Sequence, residues 1–385
     1  MIYFDNAATT QPSKSVIEKI SEVLNDNYGN PSGIYSLGLK AKREINDARH
    51  VIANMLGCFD KEILFTSGGS ESDNTSIKSV ARALKDKGRH IITSSVEHHA
   101  VLESCKELEK EGFKITYLPA DKSGRVSPDD LEKEIREDTI LVSVMMVNNE
   151  LGTIEPIEEI GKICKKNQVV FHTDAVQAFG KMPIDVNRLN IDLLSASAHK
   201  FHGPKGTGFL YVRSGTPVLP FVNGGEQEFG LRAGTENVPN IAGMAVAAKE
   251  ADLAMQERKE YIEKLKRKSY ELIIKNIPDT YVNGNLDNSV PEILNLNIKG
   301  IEGESLLINL DMRGVCASTG SACAMSSREP SHVLRAIGLA DEDQRSSLRL
   351  SFSHLNTEEE VEKGVEAIKA SVEYLRKLRR QNGDL

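Results

Sequence analysis

The sequence has few cysteines, and their spacing favours neither cross-links nor a metal site. The 385 residues include five cysteines, an odd number in a chain that is too large to need a disulfide framework. No pair has the C-x-x-C spacing or another spacing typical of zinc sites. We therefore expect reduced thiols, a cytoplasmic setting and no bound metal. The five positions are Cys58, Cys105, Cys164, Cys316 and Cys323.

Long apolar runs, basic blocks and a secretion signal are also missing. The sequence lacks the run of about 18 apolar residues that a membrane-spanning helix needs. With 48 basic and 56 acidic residues the formal net charge is −8, and no long basic block indicates a nucleic-acid partner. Residues 1–6 lack the basic and apolar regions of a signal peptide. We expect a soluble, cytoplasmic protein without membrane or nucleic-acid partners.

Between residues 63 and 212, segments that favour strands alternate with segments that favour helices. This alternation predicts an α/β domain in which helices cover both faces of a mostly parallel sheet. Polar residues follow several of the predicted strands, at the edge where such sheets bind ligands. We therefore expect the functional site at the carboxyl ends of these strands.

The pattern changes from Val238 onward, where a long charged helix is followed by a mixture of strands and helices. The last helix is predicted to begin with a capping box formed by Thr357 and Glu360. This second region is typical of a smaller α+β domain. We expect two domains with these boundaries: a large α/β domain at 14–250, and a small α+β domain at 1–13 and 251–385.

Lys200 follows a predicted strand of small and apolar residues, and a glycine and a proline interrupt the strand soon after it. Small neighbours leave space for a planar partner, and partial burial lowers the pKa of a lysine, as a Schiff-base amine requires. A solvated surface lysine is the structural alternative. Because Ser197 and His199 add donors for an anion, the pattern favours an aldehyde that carries a phosphate, such as pyridoxal phosphate.

Other strand-end residues have the chemistry that pyridoxal phosphate needs. Asp174 could keep the ring nitrogen protonated, and Gln177 could donate to the ring oxygen. His98 could stack on the ring and transfer protons, because the ordinary pKa of histidine is near neutrality. A strand followed by two glycines and a helix predicted from about Thr75 could bind phosphate. Taken singly, each feature has a structural alternative: a cap, a surface amide, a buried histidine or a tight turn.

The motifs around these residues resemble one enzyme family along almost the whole chain. They are YFDNAATT at 3–10, YGNPS at 28–32, TSGGSESDN at 66–74, EH at 97–98, VNNELG at 147–152, DAVQ at 174–177, HKFHGPKG at 199–206, RAGT at 232–235 and SAC at 321–323. The sequence resembles the cysteine desulfurases of the NifS and IscS type, which are aspartate-aminotransferase-like pyridoxal-phosphate enzymes. The resemblance implies a mostly parallel seven-stranded sheet in the large domain, and a small domain that carries the catalytic cysteine loop.

The resemblance also implies a role for each cofactor-binding residue. Lys200 is expected to form the imine with the cofactor, and His98 to stack on its ring as the acid–base group. Asp174 is expected to contact the ring nitrogen and Gln177 the ring oxygen. The residues expected to bind the phosphate are Gly69, Ser70, Ser197 and His199.

Three further positions match residues that bind the substrate or the partner subunit in this family. Asn149 and Arg349 match groups near the substrate carboxylate, a task that suits the planar guanidinium of arginine. Thr235 matches a residue that reaches the phosphate bound to the partner subunit. The resemblance therefore implies a homodimer with shared active sites.

Cys323 lies in a stretch of small and polar residues that is expected to be exposed. The resemblance implies that its thiolate takes the sulfur of L-cysteine as a persulfide, which leaves L-alanine. The sulfur would pass to an acceptor protein for the synthesis of iron–sulfur clusters, thiolated cofactors or thiolated tRNA. The length of chain before Glu329 is typical of the long-loop class. Three alternatives stay open: a selenocysteine lyase, another aminotransferase-like lyase, and a non-catalytic binding protein.

Overall fold

Strands and helices alternate along the chain as the sequence predicts. The computed structural model describes residues 1–320 and 331–381. Strands of the main sheet are rich in apolar residues and mostly buried on both faces, as expected for a sheet covered by helices. The strands are β1 (Ile2–Tyr3), β2 (Ile63–Thr66), β3 (His90–Ser94), β4 (Lys114–Leu118), β5 (Thr139–Ser143), β6 (Val170–Asp174), β7 (Leu193–Ser197), β8 (Gly208–Val212), β9 (Thr280–Val282), β10 (Ile293–Ile298), β11 (Val315–Cys316) and β12 (Ser347–Ser351).

The long charged helix and the last helix begin close to the predicted positions, at Val238 and Glu358, whereas the helix at Ser36–Leu56 was not predicted. The helix predicted from Thr75 begins earlier, at Gly69, and continues through a π-helical turn at Thr75–Ser79. The helices are α1 (Lys14–Asp26), α2 (Ser36–Leu56), α3 (Gly69–Asn74), α4 (Val80–Leu84), α5 (His99–Lys110), α6 (Pro128–Glu134), α7 (Ile157–Asn167), α8 (Val238–Asn276), α9 (Gly303–Asp311), α10 (His332–Ala336), α11 (Asp341–Arg345) and α12 (Glu358–Gln381).

The main sheet has seven strands in the order β2-β8-β7-β6-β5-β3-β4. The pairs β3–β4, β3–β5, β5–β6 and β6–β7 are parallel, whereas β8 is antiparallel to both of its neighbours. This confirms the predicted fold class. The carboxyl ends of the parallel strands lie along one edge, where the polar residues of the predicted site follow them.

The C-terminal region builds a separate antiparallel sheet with the order β12-β10-β9. The N-terminal segment joins this region, because β1 pairs in parallel with β11 and places Ile2 opposite Val315. An isolated bridge then joins Asp5 to Ser351 at the end of β12. The N-terminal residues therefore run from the small sheet toward the edge of the large sheet.

Apolar side chains form separate cores around the two sheets. Phe171 belongs to a core of the large sheet, whereas Leu296 belongs to the core of the small sheet. Helix α8 packs into both, with Met244 in the first core and Leu265 in the second. The predicted boundary near residue 250 therefore falls inside a continuous helix, and the division into 14–250 and 1–13 with 251–385 stays a prediction.

Residues 1–320 and 331–381 contain no helix that is long and apolar enough to cross a membrane. The same residues contain no group of three or more histidine, cysteine or acidic side chains that could bind a metal ion.

Candidate active site

A cavity of about 220 Å³ lies at the carboxyl ends of the parallel strands. It brings together residues that are far apart in the sequence and that the sequence analysis assigns to the cofactor and substrate. Their roles stay predictions, but their positions around one cavity are a finding. The predicted residues that line it are Gly69, Ser70, His98, Asn149, Asp174, Gln177, Ser197, His199, Lys200 and Arg349.

Lys200 stands at the end of β7, in a short helical turn that begins directly after the strand. Its Nζ donates to the carbonyl oxygens of Ala7 and Ala8, at 2.6 and 2.8 Å. Burial, followed by the positive charge of Arg349, lowers the pKa of Lys200 to about 7. A substantial fraction of the amine is therefore neutral near neutral pH, which is the form that attacks an aldehyde.

Asp174 and Gln177 follow β6 and point into the same cavity. The backbone N–H of Val176 donates to Asp174 Oδ1 at 2.9 Å, and Gln177 Nε2 donates to the Ala7 carbonyl at 2.9 Å. Burial raises the pKa of Asp174, while the Val176 hydrogen bond and Lys200 oppose that rise. A protonated ring nitrogen beside this carboxylate would compensate its buried charge.

A buried polar network lies behind Asp174, and the sequence analysis did not predict it. His172 Nδ1 and Nε2 hydrogen-bond to the hydroxyls of Ser143 and Ser195, at 2.8 and 3.0 Å. Burial lowers the pKa of His172 to about 3, and burial together with Asp174 raises the pKa of Asp73. His172 is therefore neutral near pH 7, and burial beside Asp174 favours the protonated form of Asp73.

His98 is fixed at the start of α5, where its Nδ1 accepts a hydrogen bond from the Ala100 N–H at 3.1 Å. This contact assigns the neutral tautomer with the proton on Nε2. Burial, followed by the charge of Lys200, lowers the pKa of His98 to about 4. The predicted proton transfer starts from the ordinary pKa of histidine, whereas in the folded chain the His98 ring is a neutral donor near pH 7.

Arg349 is buried in β12 and brings the small sheet to the cavity. Its Nη2 donates to Asp5 Oδ1 at 2.9 Å, and its Nη1 donates to the Asn149 carbonyl at 2.9 Å. Its Nε is buried and has no hydrogen-bond partner within the described part of the chain. These two contacts hold the guanidinium in place and leave other N–H donors unused, that of Nε among them, as a site for a carboxylate requires.

The start of α3 forms the wall of the cavity that is predicted to bind phosphate. A Cβ at Gly69 would lie 2.6 Å from Val176 Cγ2, so a side chain here would displace the wall. The first turn of a helix also presents backbone N–H groups that lack helix partners. A desolvated lysine, a buried carboxylate and this glycine turn together fit pyridoxal phosphate.

Two predicted site residues are not part of this cavity. Thr235 lines a separate cavity of about 180 Å³, together with Arg232 and Glu228. Cys323 lies outside the described residues, as does the stretch on which the long-loop prediction depends. Ser331, the first described residue after that stretch, donates to Glu150 Oε2 at 2.6 Å.

Comparison with known proteins assigns the chain to a protein family. A model of the family described as aminotransferase class-V matches residues 2–363. The chain belongs to this family. The class-V aminotransferase assignment covers both sheets and all the predicted site residues, so the likeness is not limited to one motif.

Relatives within the family are named cysteine desulfurases. The chain is 52% identical to "Cysteine desulfurase IscS" of Methanosarcina thermophila, over 98% of this chain and 93% of the relative. It is 49% identical to the protein of the same name from Dictyoglomus turgidum, over 97% and 95% of the two chains. This member of the aminotransferase class-V family therefore belongs to the cysteine desulfurases.

Solved structures agree with this assignment. A structure titled "NIFS-LIKE PROTEIN" has a TM-score of 0.92 and 39% identity, and the match covers 97% of this chain and 99% of that one. Another, titled "SspA in complex with cysteine", has a TM-score of 0.83 and 40% identity, with coverage of 91% and 99%. The aspartate-aminotransferase-like fold expected from the sequence is confirmed.

Proposed function

We propose that this cysteine desulfurase uses pyridoxal phosphate to convert L-cysteine to L-alanine and transfers the sulfur to Cys323 as a persulfide. The observation that carries the proposal is that Lys200, Asp174 and Arg349 meet around one cavity. The family assignment and the relative solved with cysteine support the choice of substrate.

The cofactor, when bound, would withdraw electrons from the substrate carbon atoms. Asp174 would face its ring nitrogen, Gln177 its ring oxygen and His98 its ring. The first turn of α3, with Ser197 and His199, would bind its phosphate. The Lys200 amine would form the covalent link, and the carbonyls of residues 7 and 8 would accept its N–H groups whenever that link is open.

The protein's side chains would orient the substrate and transfer its protons and sulfur. Arg349 and Asn149 would bind the carboxylate, and Lys200 Nζ would take the proton from the substrate Cα. Cys323 Sγ would then attack the substrate sulfur. The new S–S bond would form as the C–S bond breaks, and the C–S electron pair would remain on carbon, which gains a proton and leaves as alanine. These steps need no external oxidant or reductant.

The four described cysteines have properties that favour Cys323 as the nucleophile. Burial is the largest cause of a raised pKa in each of them, so their thiolate fraction near pH 7 is small. These cysteines are Cys58, Cys105, Cys164 and Cys316.

The proposed assembly is a homodimer in which Thr235 serves the partner's site. Its cavity is separate from that of Lys200 in the same chain, which is the placement that a shared site requires. Phe229 lies near it, is 58% exposed and stacks on Arg49, and exposed aromatics of this kind are common at interfaces. The proposed setting is the cytoplasm, and the proposed sulfur acceptor is a protein of iron–sulfur cluster, cofactor or tRNA thiolation.

One experiment tests cofactor, substrate and nucleophile together. The visible absorption of the purified holoenzyme is recorded before and after L-cysteine is added, and the peptide that contains Cys323 is then weighed by mass spectrometry. We expect the band to change and Cys323 to gain one sulfur atom.

The matched control replaces the half-buried Cys316 with alanine, the residue that also replaces Cys323. Cys323→Ala should abolish the persulfide and sulfide release, whereas Cys316→Ala should retain both. Full sulfide release by Cys323→Ala contradicts the proposed nucleophile. Turnover of selenocysteine but not of cysteine would contradict the proposed substrate.

A further inference from the structure

Lys181 lies behind the cofactor cavity and contacts one of its predicted residues. It follows Gln177 by one helical turn in the segment after β6, and its Nζ donates to Gln177 Oε1 at 2.8 Å. On the other side, Gln177 Nε2 donates to the Ala7 carbonyl at 2.9 Å. Both ends of this buried amide have a partner, and the partners assign which end is oxygen and which is nitrogen.

A second cavity, of about 40 Å³, lies on the far side of these residues. Lys181 and Lys200 both line it, together with Glu292. Gln177 and Lys200 also line the larger cavity, where the cofactor is proposed to bind. Lys181 can therefore act on the cofactor in two ways: through the Gln177 amide and through its charge.

We propose that Lys181 is a positioning residue for the cofactor: it holds the Gln177 amide with its N–H groups toward the ring oxygen and places a positive charge behind Lys200. The proposal rests on the proposed function, in which Gln177 faces that oxygen. A rotated amide would turn its oxygen toward an anionic ring oxygen and its NH₂ group toward the Lys181 ammonium. Both contacts are repulsive, so Lys181 acts together with the Ala7 carbonyl to exclude the rotated state.

The charge of Lys181 also acts on the group that would link to the cofactor. After burial, the positive charges of Arg349 and then Lys181 lower the pKa of Lys200, whereas Asp174 and Asp5 raise it. The same charges would act on a protonated imine at Lys200, and the positive ones would destabilise it. Removal of Lys181 would therefore stabilise the protonated form, and loss of a fixed donor to the ring oxygen would act in the same direction.

The positive charge of Lys181 is compensated by an acidic side chain that interacts with it through space. Burial lowers its pKa, the negative charge of Glu292 opposes that, and Arg349 adds to it. Glu292 Oε2 is buried without a hydrogen-bond partner among the described residues, so the pair interacts through space. The other titratable or charged side chains that face this region are His199, His202, Arg258, Lys259 and His354.

The test is a pH titration of the visible band of the holoenzyme without substrate, in the wild type and in Lys181→Met. We expect the midpoint to rise by about one pH unit in the variant. We expect kcat to fall about tenfold while KM for cysteine stays within about twofold, because substrate binding does not use Lys181. Lys181→Arg, which keeps the charge and a donor, should restore the wild-type midpoint.

Lys266→Met is the matched control, because Lys266 is desolvated and interacts with Glu292 as Lys181 does, but it lines neither cavity and does not contact Gln177. If Lys181→Met does not fold, Lys181→Gln is measured with the same expected direction. An unmoved midpoint in a folded Lys181 variant that retains the cofactor overturns the inference, as does an equal shift in Lys266→Met. A wild type without a visible band after reconstitution would overturn the proposed function instead.

Discussion

Lys200 beside the large sheet and Lys266 beside the small sheet both have desolvated amines that donate hydrogen bonds to protein oxygens. Lys200 donates to two backbone carbonyls, and Lys266 donates to the Val290 carbonyl at 2.9 Å and the Ser289 hydroxyl at 2.7 Å. Burial lowers the pKa of Lys200 to about 7 and that of Lys266 to about 8. A low pKa therefore does not distinguish the two residues.

The difference lies in what surrounds each amine. Lys200 borders a cavity of about 220 Å³, and Asp174 and Arg349 line that cavity with it. Lys266 is 1% exposed within α8, where its hydrogen bonds connect the helix to the segment before β10. Charged side chains also lie near Lys266, so access to a cavity lined by Asp174 and Arg349, in addition to desolvation, marks the lysine that is proposed to react.

The largest expected effect is on turnover. Lys200→Met should reduce cysteine desulfurase activity by at least about 10³-fold, because both the covalent link and the proton transfer at the substrate Cα are lost. Lys266→Met should keep activity within about threefold. Steady-state sulfide release checks both variants, and similar losses in the two would remove the distinction drawn between them.

The next effect concerns Arg349, the guanidinium that lines the cavity beside Lys200. Arg349→Gln should raise KM for cysteine by about 10- to 100-fold, since charge-assisted hydrogen bonds to the carboxylate are lost. Arg376→Gln removes a surface guanidinium that binds the Lys299 carbonyl and should leave KM unchanged. Initial-rate kinetics decide between these outcomes, and an unaltered KM in Arg349→Gln would argue against its role at the carboxylate.

For the free energy of unfolding the order should be reversed, with the larger loss in Lys266→Met. Lys266→Met removes the donor to the Val290 carbonyl and to the Ser289 hydroxyl, which keeps only its bond to the Leu286 carbonyl, so the free energy of unfolding should fall by about 1–3 kcal/mol. Lys200→Met should change it by less than about 1 kcal/mol in the apoprotein, because water in the open cavity can replace the lost contacts. Urea unfolding of the two apoproteins measures the difference, and a larger loss in Lys200→Met would contradict it.

The smallest expected difference is in pH dependence. An amine reacts only when it is deprotonated, so acetylation of the apoprotein should increase as pH rises through each pKa and then level off. The midpoint should lie near pH 7 for Lys200 and near pH 8 for Lys266, and Lys266 should react more slowly at every pH because it is less accessible. Timed labelling with peptide mass spectrometry checks this, and a Lys200 midpoint near the ordinary lysine value would contradict the desolvation argument.

Much of the fold could be predicted because local signals agree with it. The capping box of the last helix is present, with Glu360 N–H donating to Thr357 Oγ1 at 3.2 Å and Glu360 Oε2 accepting from the Thr357 N–H at 3.1 Å. The start of α3 was placed too late, because a glycine and serine stretch has low helix propensity. Tertiary packing of that segment against β7 and β8 overrides the local preference.

The site could be predicted where a residue follows a strand, belongs to a recognised motif or, like Arg349, matches a position of the family. Lys200 and Asp174 meet the first two conditions. Lys181 and His172 meet neither of these, because their roles depend on which side chains the fold places beside them. The depressed pKa of His98 also could not be predicted, since burial and the charge of Lys200 exist only in the folded chain.

The N-terminal segment has a consequence for biosynthesis. Its Ala7 N–H donates to Ser351 Oγ at 2.8 Å, and Ile2 pairs with Val315. A ribosome makes this segment long before β11 and β12, so its pairing with those strands waits until residue 351 has been made. The Ala7 carbonyl, which receives the Lys200 amine, can meet Gln177 earlier, but its backbone is held against the small sheet only once β12 is present. The proposed cofactor site is therefore completed only after β12 has been synthesised.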